Sequence, residues 1–435
     1  MPPHGGSCLI HLSTNRNSRV LAASLIGTSV EFYDFYIYAT AASLVFGPLF
    51  FPASSPSAQL LAAYASFGLA FVARPVGAAV FGHFGDRIGR KSTLVTSLLL
   101  MGGSTTAIAF LPTYQTAGWV APALLCLMRI GQGLGLGGEW GGAALLAVEN
   151  APPGWAGRFG MVPQLGAPLG FLLANGLFLL LGLALTPEQF RDWGWRLPFL
   201  ASALLVAVGL WVRLKLTETP VFAAVVASGT AERAPLSIVF RRHLAPVLAG
   251  TFSVIACFAL YYIATAFALG YGTTTLGYAR SAFLRVQLGA IVFMAIGIVA
   301  AGVLSDRFKP RVVLLGGCVV TIGIGALLAP MLASGSLAVV FVFLSLALLT
   351  MGFVYGPLGA WLPSLFPPPV RYSGVSIAFN VGGTIGGALT PLAAQAIAEY
   401  SGLGAVGLYL SAAAGLSLVA LLFAKGRAAH CRSAQ

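Results

Sequence analysis

Long apolar runs, separated by short polar breaks, follow one another along the chain from Val20 to Phe423. A helix needs about 20 apolar residues to cross the ~30 Å hydrocarbon core of a bilayer, and the runs reach that length. The pattern predicts an all-α membrane protein with twelve transmembrane helices, which centre in residues 20–48, 58–81, 92–111, 119–148, 159–185, 196–214, 244–270, 283–304, 312–332, 336–362, 373–398 and 402–424.

The longest polar stretch, residues 215–243, divides the spans into two groups of six and is typical of a linker. The first run is too long for the core of a signal peptide, so we expect the first helix to be retained. We therefore predict five regions: an N-terminal tail (1–19), an N-terminal six-helix bundle (20–214), a linker (215–243), a C-terminal six-helix bundle (244–424) and a C-terminal tail (425–435).

One polar sequence occurs twice between apolar runs, as GHFGDRIGRK in residues 82–91 and as GVLSDRFKPR in residues 302–311. The Asp-Arg pairs of the two copies lie 220 residues apart. This spacing indicates that the two six-helix groups are related halves. The copies are unequal, because Lys309-Pro310 replaces the Gly-Arg of the first copy.

The composition excludes a soluble domain, since 58% of the 435 residues are hydrophobic and only 8% are charged. The net charge of +13 is explained by the orientation of the chain in the membrane, because 18 of the 24 Lys and Arg residues fall on the predicted side that holds both termini. By the positive-inside rule that side is cytoplasmic. We expect no nucleic-acid partner, and we expect a monomer in a bacterial inner membrane.

No enzyme chemistry is visible in the sequence. The five Cys residues form no CxxC pair, and the five His residues form no HExxH motif. We therefore expect no metal, no cofactor other than a coupling proton, and no enzymatic activity. The glycine-rich run at residues 133–138 lies within a predicted span and favours close helix packing over nucleotide binding.

Three acidic residues fall inside the predicted spans: Glu31, Asp34 and Glu139. Charges at such depth usually face a cavity or a partner. Glu31 and Asp34 share a helix face, and repulsion between two carboxylates favours protonation of one of them. All three are therefore candidates for proton coupling. A static ion pair that only joins helices is the alternative.

Two arginines also lie within the spans. Depth matching predicts that Arg129 pairs with Glu31 or Asp34, and that Arg74 pairs with Glu139. The planar fork of Arg129 suits capture of a substrate carboxylate. Arg74 and Glu139 fit a structural or gating pair better than direct substrate contact.

Several motifs together resemble the major facilitator superfamily. Residues 82–91 look like its loop between helices 2 and 3, and Arg129-x3-Gly133-x3-Gly137 looks like its fourth-helix motif. The metabolite:proton symporter family, which includes shikimate, 2-oxoglutarate, citrate and proline/betaine transporters, is similar in narrower motifs: EFYDFY at 31–36, FFP at 50–52, RPVG at 74–77, GGEWGGA at 137–143, ENAP at 149–152 and DWGWRLPF at 192–199. The tryptophan-containing forms are nearest to the shikimate-type branch.

The resemblance implies two six-helix bundles around a central cavity lined by spans 1, 4, 7 and 10. It implies a substrate site at midplane, with these candidates: Arg129, Tyr33, Tyr261, Tyr262, Tyr355, Gln164 and Asn380. Paired tyrosines also serve for packing. A cytoplasmic gating network is expected from these residues: Arg74, Asp86, Arg87, Arg90, Lys91, Glu149, Arg158, Asp306, Arg307, Arg311 and Arg371.

The second half departs from the family pattern at Ser364, where relatives carry an acid. Arg371 is then expected either to pair with Asp306 or to leave that half less firmly closed.

These observations predict a proton-coupled symporter that imports a small organic anion by alternating access. A proline/betaine-type zwitterion symporter and a proton-independent uniporter stay open as alternatives. An osmosensor is disfavoured, since only residues 425–435 follow the last predicted span.

Overall fold

The computed structural model describes residues 6–52, 56–215 and 235–424, with isolated positions at 221, 223 and 227. The predicted C-terminal tail (425–435) and most of the predicted linker (215–243) lie outside the described residues, as do residues 1–5 of the predicted N-terminal tail. All regular elements within the described ranges are helices.

Six long helices form the first half of the chain. Two of them meet at Gly89, whose φ of 112° permits the sharp turn between them. The fifth is interrupted at Leu165, just after Pro163. The helices are α1 (Gly6–Ala41), α2 (Pro56–Ile88), α3 (Arg90–Ile108), α4 (Val120–Val148), α5 (Ala156–Gln164 and Gly166–Ala184) and α6 (Arg196–Leu214).

The second half repeats this plan with more interruptions. Its helices are α7 (Leu244–Ser253, Ile255–Tyr262 and Ala268–Thr274), α8 (Arg280–Phe308), α9 (Pro310–Leu332), α10 (Leu337–Tyr355 and Leu358–Ser364), α11 (Arg371–Gly383) and α12 (Leu389–Phe423). π-Helical turns at Ile263–Phe267 and Thr384–Ala388 continue α7 and connect α11 to α12.

Short elements complete the described chain between the long helices. They are Ala42–Phe46, Gly47–Phe50, Tyr114–Ala117, Pro187–Gln189, Phe190–Gly194, Pro235–Arg242 and Pro368–Val370.

Ten helical stretches within the described ranges are long and apolar enough to cross a membrane. One of them, Pro368–Phe423, contains Gly402 in a non-helical conformation with φ 78° and ψ 175°. Helix α3 is not among the ten, because Arg90, Lys91 and seven Ser and Thr residues lower its mean hydropathy. The predicted number of twelve spans and the side of the termini therefore stay predictions.

Close helix contacts in both halves depend on glycine. A Cβ at Gly77 of α2 would collide with the Leu134 carbonyl of α4, and one at Gly297 of α8 would collide with the Leu349 carbonyl of α10. Gly77 and Gly297 lie 220 residues apart, the same interval as the two Asp-Arg pairs. The predicted packing role of the glycine-rich run is also seen, since Gly133, Gly137 and Gly138 lie against α2.

The two halves contact each other through α2 with α11 and through α5 with α8. The repeated Asp-Arg sequences lie at the ends of α2 and α8, so both fall at this contact.

Candidate functional site

A central cavity lies between the halves, and its walls include residues of α1, α2, α7 and α10. Its polar lining consists of one acid, one arginine and four tyrosines: Glu31, Arg74, Tyr36, Tyr261, Tyr262 and Tyr355. Phenylalanine and methionine side chains form most of the remaining wall.

Glu31 and Arg74 are the two charged residues of this wall, and both are buried. The Oε2 atom of Glu31 has no hydrogen-bond partner. Arg74 donates from Nε to Oδ1 of Asn380 over 3.0 Å, and its guanidinium carbon lies 5.6 Å from the Phe71 ring centroid. Among the described ion pairs none joins Glu31 to Arg74, so both groups are available to a bound molecule.

Three of the predicted substrate tyrosines, Tyr261, Tyr262 and Tyr355, do line the central cavity. The Tyr261 hydroxyl donates to the Tyr36 hydroxyl, which joins α7 to α1, while the Tyr355 hydroxyl has no partner. Sequence reasoning missed Tyr36, although it belongs to the EFYDFY motif. Tyr33 does not line the cavity: its hydroxyl donates to the Pro198 carbonyl over 2.8 Å, because its position on α1 faces α6.

A second, smaller cavity lies within the first half, and we call it the side cavity. It is lined by Asp34, Phe35, Ala70, Met101, Arg129, Gln132 and Leu136. Asp34 accepts a hydrogen bond from Ser202 over 2.6 Å through Oδ1, while its Oδ2 has no partner. Glu31 and Asp34 therefore serve different cavities, although they are three residues apart on one helix.

Arg129 faces the side cavity and not the central one. Its Nη1 donates to Gln132 over 2.7 Å, whereas Nε and Nη2 have no partner. The guanidinium carbon lies 4.1 Å from the Tyr38 ring centroid and 4.7 Å from that of Phe67. Arg74 therefore lines the central cavity, where Arg129 was predicted, and Arg129 lies outside it. The prediction failed because depth along a helix does not fix the direction in which a side chain points.

The predicted ion pairs of these arginines are wrong. Glu139 forms an ion pair with Arg213, and Gly27, which has no side chain, leaves room for the Arg213 guanidinium. The Oε2 atom of Glu139 accepts a hydrogen bond from the Ser97 hydroxyl over 2.9 Å. Glu139 is buried and lines neither cavity, so this arrangement favours a structural role. Arg129 shares a cavity with Asp34 but forms no ion pair with it among those described.

Gln164 and Asn380 also lie outside the cavity walls. Gln164 accepts from Trp140 over 2.8 Å and donates to the Tyr355 carbonyl over 3.1 Å. Asn380 donates to the Gly137 carbonyl over 2.9 Å while it accepts from Arg74. Both amides therefore connect the two halves of the protein beside the cavity, and neither wall includes them.

A first charged cluster, formed by Asp86, Arg90, Glu149 and Arg371, joins the halves at the end of α2. Asp86 accepts hydrogen bonds from the backbone N–H groups of Tyr372 and Ser373, over 3.1 and 2.9 Å, and so caps the first turn of α11. Glu149 lies 3.6 Å from Arg90 and 3.3 Å from Arg371. The proposed pairing of Arg371 with Asp306 is therefore wrong.

A second charged cluster, formed by Asp306 and Arg158, joins the halves at the end of α8. Asp306 accepts from the backbone N–H groups of Gly157 and Arg158, over 2.7 and 3.3 Å, and so caps the first turn of α5. The Arg158 Nε lies 3.4 Å from Asp306. Ser364 adds no charge, since its hydroxyl donates to the Trp361 carbonyl.

In the contacts that the structure describes, four other basic residues of the predicted network bond within their own half. Lys91 donates to the Leu214 carbonyl at the end of α6, and Arg311 donates to the Leu421 and Leu422 carbonyls at the end of α12. Each therefore binds a helix C-terminus within its own half. Arg87 contacts His83 one turn away, and Arg307 lies over the Phe308 ring.

Within the described ranges, no group of three His, Cys, Asp or Glu side chains is placed to hold a metal ion.

Comparison with known proteins extends these observations. Residues 20–243 match the family model described as sugar (and other) transporter. The inner membrane metabolite transport protein YhjE of Escherichia coli (strain K12) is 50% identical over 414 residues, which is 94% of each chain. The shikimate transporter of the same organism is 38% identical and covers 89% of this chain and 90% of its own. A proline/betaine transporter of Salmonella typhimurium is 31% identical over 88% of this chain and 78% of its own.

Among solved structures, the proton:xylose symporter XylE of the major facilitator superfamily, bound to 6-bromo-6-deoxy-D-glucose, superposes with a TM-score of 0.76. The match covers 94% of this chain and 95% of that one at 15% identity. The fold predicted from the sequence motifs is thereby confirmed.

Proposed function

The chain belongs to the sugar and other transporter family of the major facilitator superfamily, and on that premise we propose that this multi-pass membrane transporter of metabolites is a proton-coupled symporter for a small organic acid. One observation carries the proposal. The central cavity places an arginine and an unpaired carboxyl, Arg74 and Glu31, among four tyrosines in an otherwise apolar wall.

Arg74 is the substrate anchor in this proposal. A guanidinium binds a carboxylate through two parallel N–H donors, and Arg74 uses only Nε in the bond to Asn380 that the structure shows. The tyrosine hydroxyls of the same wall suit the hydroxyl groups of a substrate, and that of Tyr355 has no partner. The 38% identity to a shikimate transporter supports a hydroxylated ring acid as substrate.

Glu31 and Asp34 are the candidates for the coupled proton. Each has a buried carboxylate oxygen without a hydrogen-bond partner, and an ionised carboxylate at that depth is costly. Protonation removes this cost and lets the carrier reorient with its substrate. Co-transport of one proton with a monocarboxylate is electroneutral, whereas extra protons would add about 2.3 kcal/mol per charge per 100 mV.

Alternating access needs contacts that form at one end while they break at the other. The two charged clusters close the same end of the molecule, which the positive-inside rule predicts to be cytoplasmic. Rocking of the halves then requires Asp86 to leave α11 and Asp306 to leave α5.

A zwitterion is the second candidate substrate, and the aromatic wall favours it. Tyrosine and phenylalanine faces attract quaternary ammonium groups, and Glu31 would add a negative charge beside them. Arg74 would then bind the carboxylate of the same molecule, so the two candidates differ in their use of Glu31.

Uptake into proteoliposomes of shikimate, dicarboxylates, citrate, aromatic acids, proline and betaine at two pH values tests the proposal. We expect one organic acid to accumulate and its accumulation to vanish when the proton gradient is collapsed. An initial uptake rate that does not change when the proton gradient is collapsed would indicate a uniporter. A neutral sugar as the best substrate would overturn the organic-acid assignment. The variant Glu31→Gln separates the candidates, because it should weaken binding of betaine more than that of an anion.

A further inference from the structure

Two residues line both the central cavity and the side cavity. Phe35 of α1 and Leu136 of α4 are part of each wall, whereas every other residue described for these walls belongs to one cavity alone. Both shared side chains are apolar and buried. The space between the two cavities is therefore occupied by hydrocarbon.

Each cavity has buried polar atoms of its own that lack a protein partner. Glu31 Oε2 and the Tyr355 hydroxyl belong to residues of the central cavity, and Asp34 Oδ2 with Arg129 Nε and Nη2 belong to residues of the side cavity. Buried polar atoms of this kind normally bind water or ligand. These unpaired groups are the ones that water entering either cavity would reach, and the two shared apolar side chains lie between the cavities.

We propose that Phe35 and Leu136 form an apolar partition that separates the substrate site from a proton site at Asp34 and Arg129. This inference rests on the proposed proton coupling. Protons move along continuous hydrogen-bonded water, and an apolar constriction interrupts such a chain by excluding water. With the partition closed, Asp34 cannot exchange protons through the central cavity, so protons do not cross without substrate.

The surroundings of Phe35 explain how the ring is held in place. Its centroid lies 4.9 Å from that of Phe67 and 5.5 Å from that of Phe71, and the Arg129 guanidinium carbon lies 5.2 Å away. The ring therefore contacts the charged group of one cavity while it forms part of the wall of the other. A substrate that displaces it would change the surroundings of Arg129 in the same movement.

Proton flux without substrate is the direct measurement. Purified full-length protein in proteoliposomes that contain a pH-sensitive dye is given a potassium diffusion potential, and internal acidification is followed. We expect Phe35→Ala and Leu136→Ala each to raise the substrate-free proton flux roughly tenfold over wild type, which corresponds to about 1.4 kcal/mol of barrier. Phe35→Leu, which keeps a large apolar side chain, should restore a low flux.

Two controls separate a partition from general damage. Phe46→Ala and Phe178→Ala each shorten a buried ring that lines neither cavity. Neither should leak protons. A leak in both controls, or wild-type flux in a folded Phe35→Ala and in Leu136→Ala, overturns the partition.

The outcome also distinguishes this inference from the proposed function. If wild-type protein couples proton influx to one of the organic acids and the variants do not leak, only the partition fails. If no acid in the uptake series draws protons into wild-type proteoliposomes, the proton-coupled function fails and the partition fails with it.

Discussion

The two charged clusters occupy equivalent places in the two halves but differ in depth. In each, an aspartate at the end of one helix accepts from the second and third N–H groups of a helix in the opposite half. In the first cluster, the side chains of Asp86 and Arg90 are 0% and 1% exposed; in the second, those of Asp306 and Arg158 are 10% and 39% exposed.

The two clusters share one backbone arrangement but differ in the charged side chains that surround it. The backbone plan brings a carboxylate to a helix N-terminus in both halves, where the helix dipole favours it. The first cluster adds Glu149 between two arginines, and the second has Ser364 and Pro310 where the acid and the arginine would stand. We expect the first cluster to dominate closure of this end.

The largest effect should follow Asp86→Asn. The change removes a buried carboxylate from two backbone donors, the Ser373 hydroxyl and Arg90, so we expect a loss of about 3 kcal/mol in the closed conformation. Hydrogen–deuterium exchange should rise sharply in the first turn of α11, and transport should fall more than tenfold. Asp192→Asn, at an exposed position in the short π-helical element Phe190–Gly194, is the control. Unchanged exchange at α11 would contradict dominance of the first cluster.

A smaller effect is expected for Asp306→Asn. The backbone contacts to α5 are lost, but solvent already screens Arg158, so about 1 kcal/mol is at stake. Hydrogen–deuterium exchange should rise in the first turn of α5. This rise should be smaller than the rise in the first turn of α11 that Asp86→Asn causes. Equal effects of the two substitutions would show that exposure does not separate the clusters.

Sequence alone predicted much of this comparison. The charged repeat located both aspartates, and Ser364 with Lys309-Pro310 indicated a weaker second copy. The capping of α11 and α5 was not predictable, because it depends on which helix of the opposite half ends beside each aspartate. Only packing brings those ends together.

The assignment of residues to the two cavities was likewise only partly predictable from the sequence. The family motifs and the depths of the charged residues identified Glu31, Asp34, Arg74 and Arg129 as the important charges. Their distribution between two cavities could not be predicted, since it depends on helix rotation and on the apolar partition. Arg213 was missed because it lies at a helix end, where a charge needs no partner to be tolerated.

Adding the missing acid should bring the clusters closer in strength. The second segment of α10, which ends at Ser364, packs against the first segment of α5, which carries Arg158. Ser364→Glu should therefore stabilise closure by about 0.5 kcal/mol, the usual size for an exposed pair. Exchange at the first turn of α5 should slow by about twofold at low salt, and the gain should fade at high salt. Ser364→Gln, which has the same length without the charge, should show no gain.

The backbone of the second copy offers a further test of the difference between the two turns. Lys309 has φ 71° and ψ 140° at the position equivalent to Gly89, whose φ is 112°. A residue with a Cβ is strained there by about 1 kcal/mol, and glycine is not. Lys309→Gly should therefore raise the melting temperature by about 1–2 °C. Lys309→Ala keeps the Cβ while it removes the charge, so it should give no increase. An equal gain from alanine would show that charge, not backbone strain, separates the two turns.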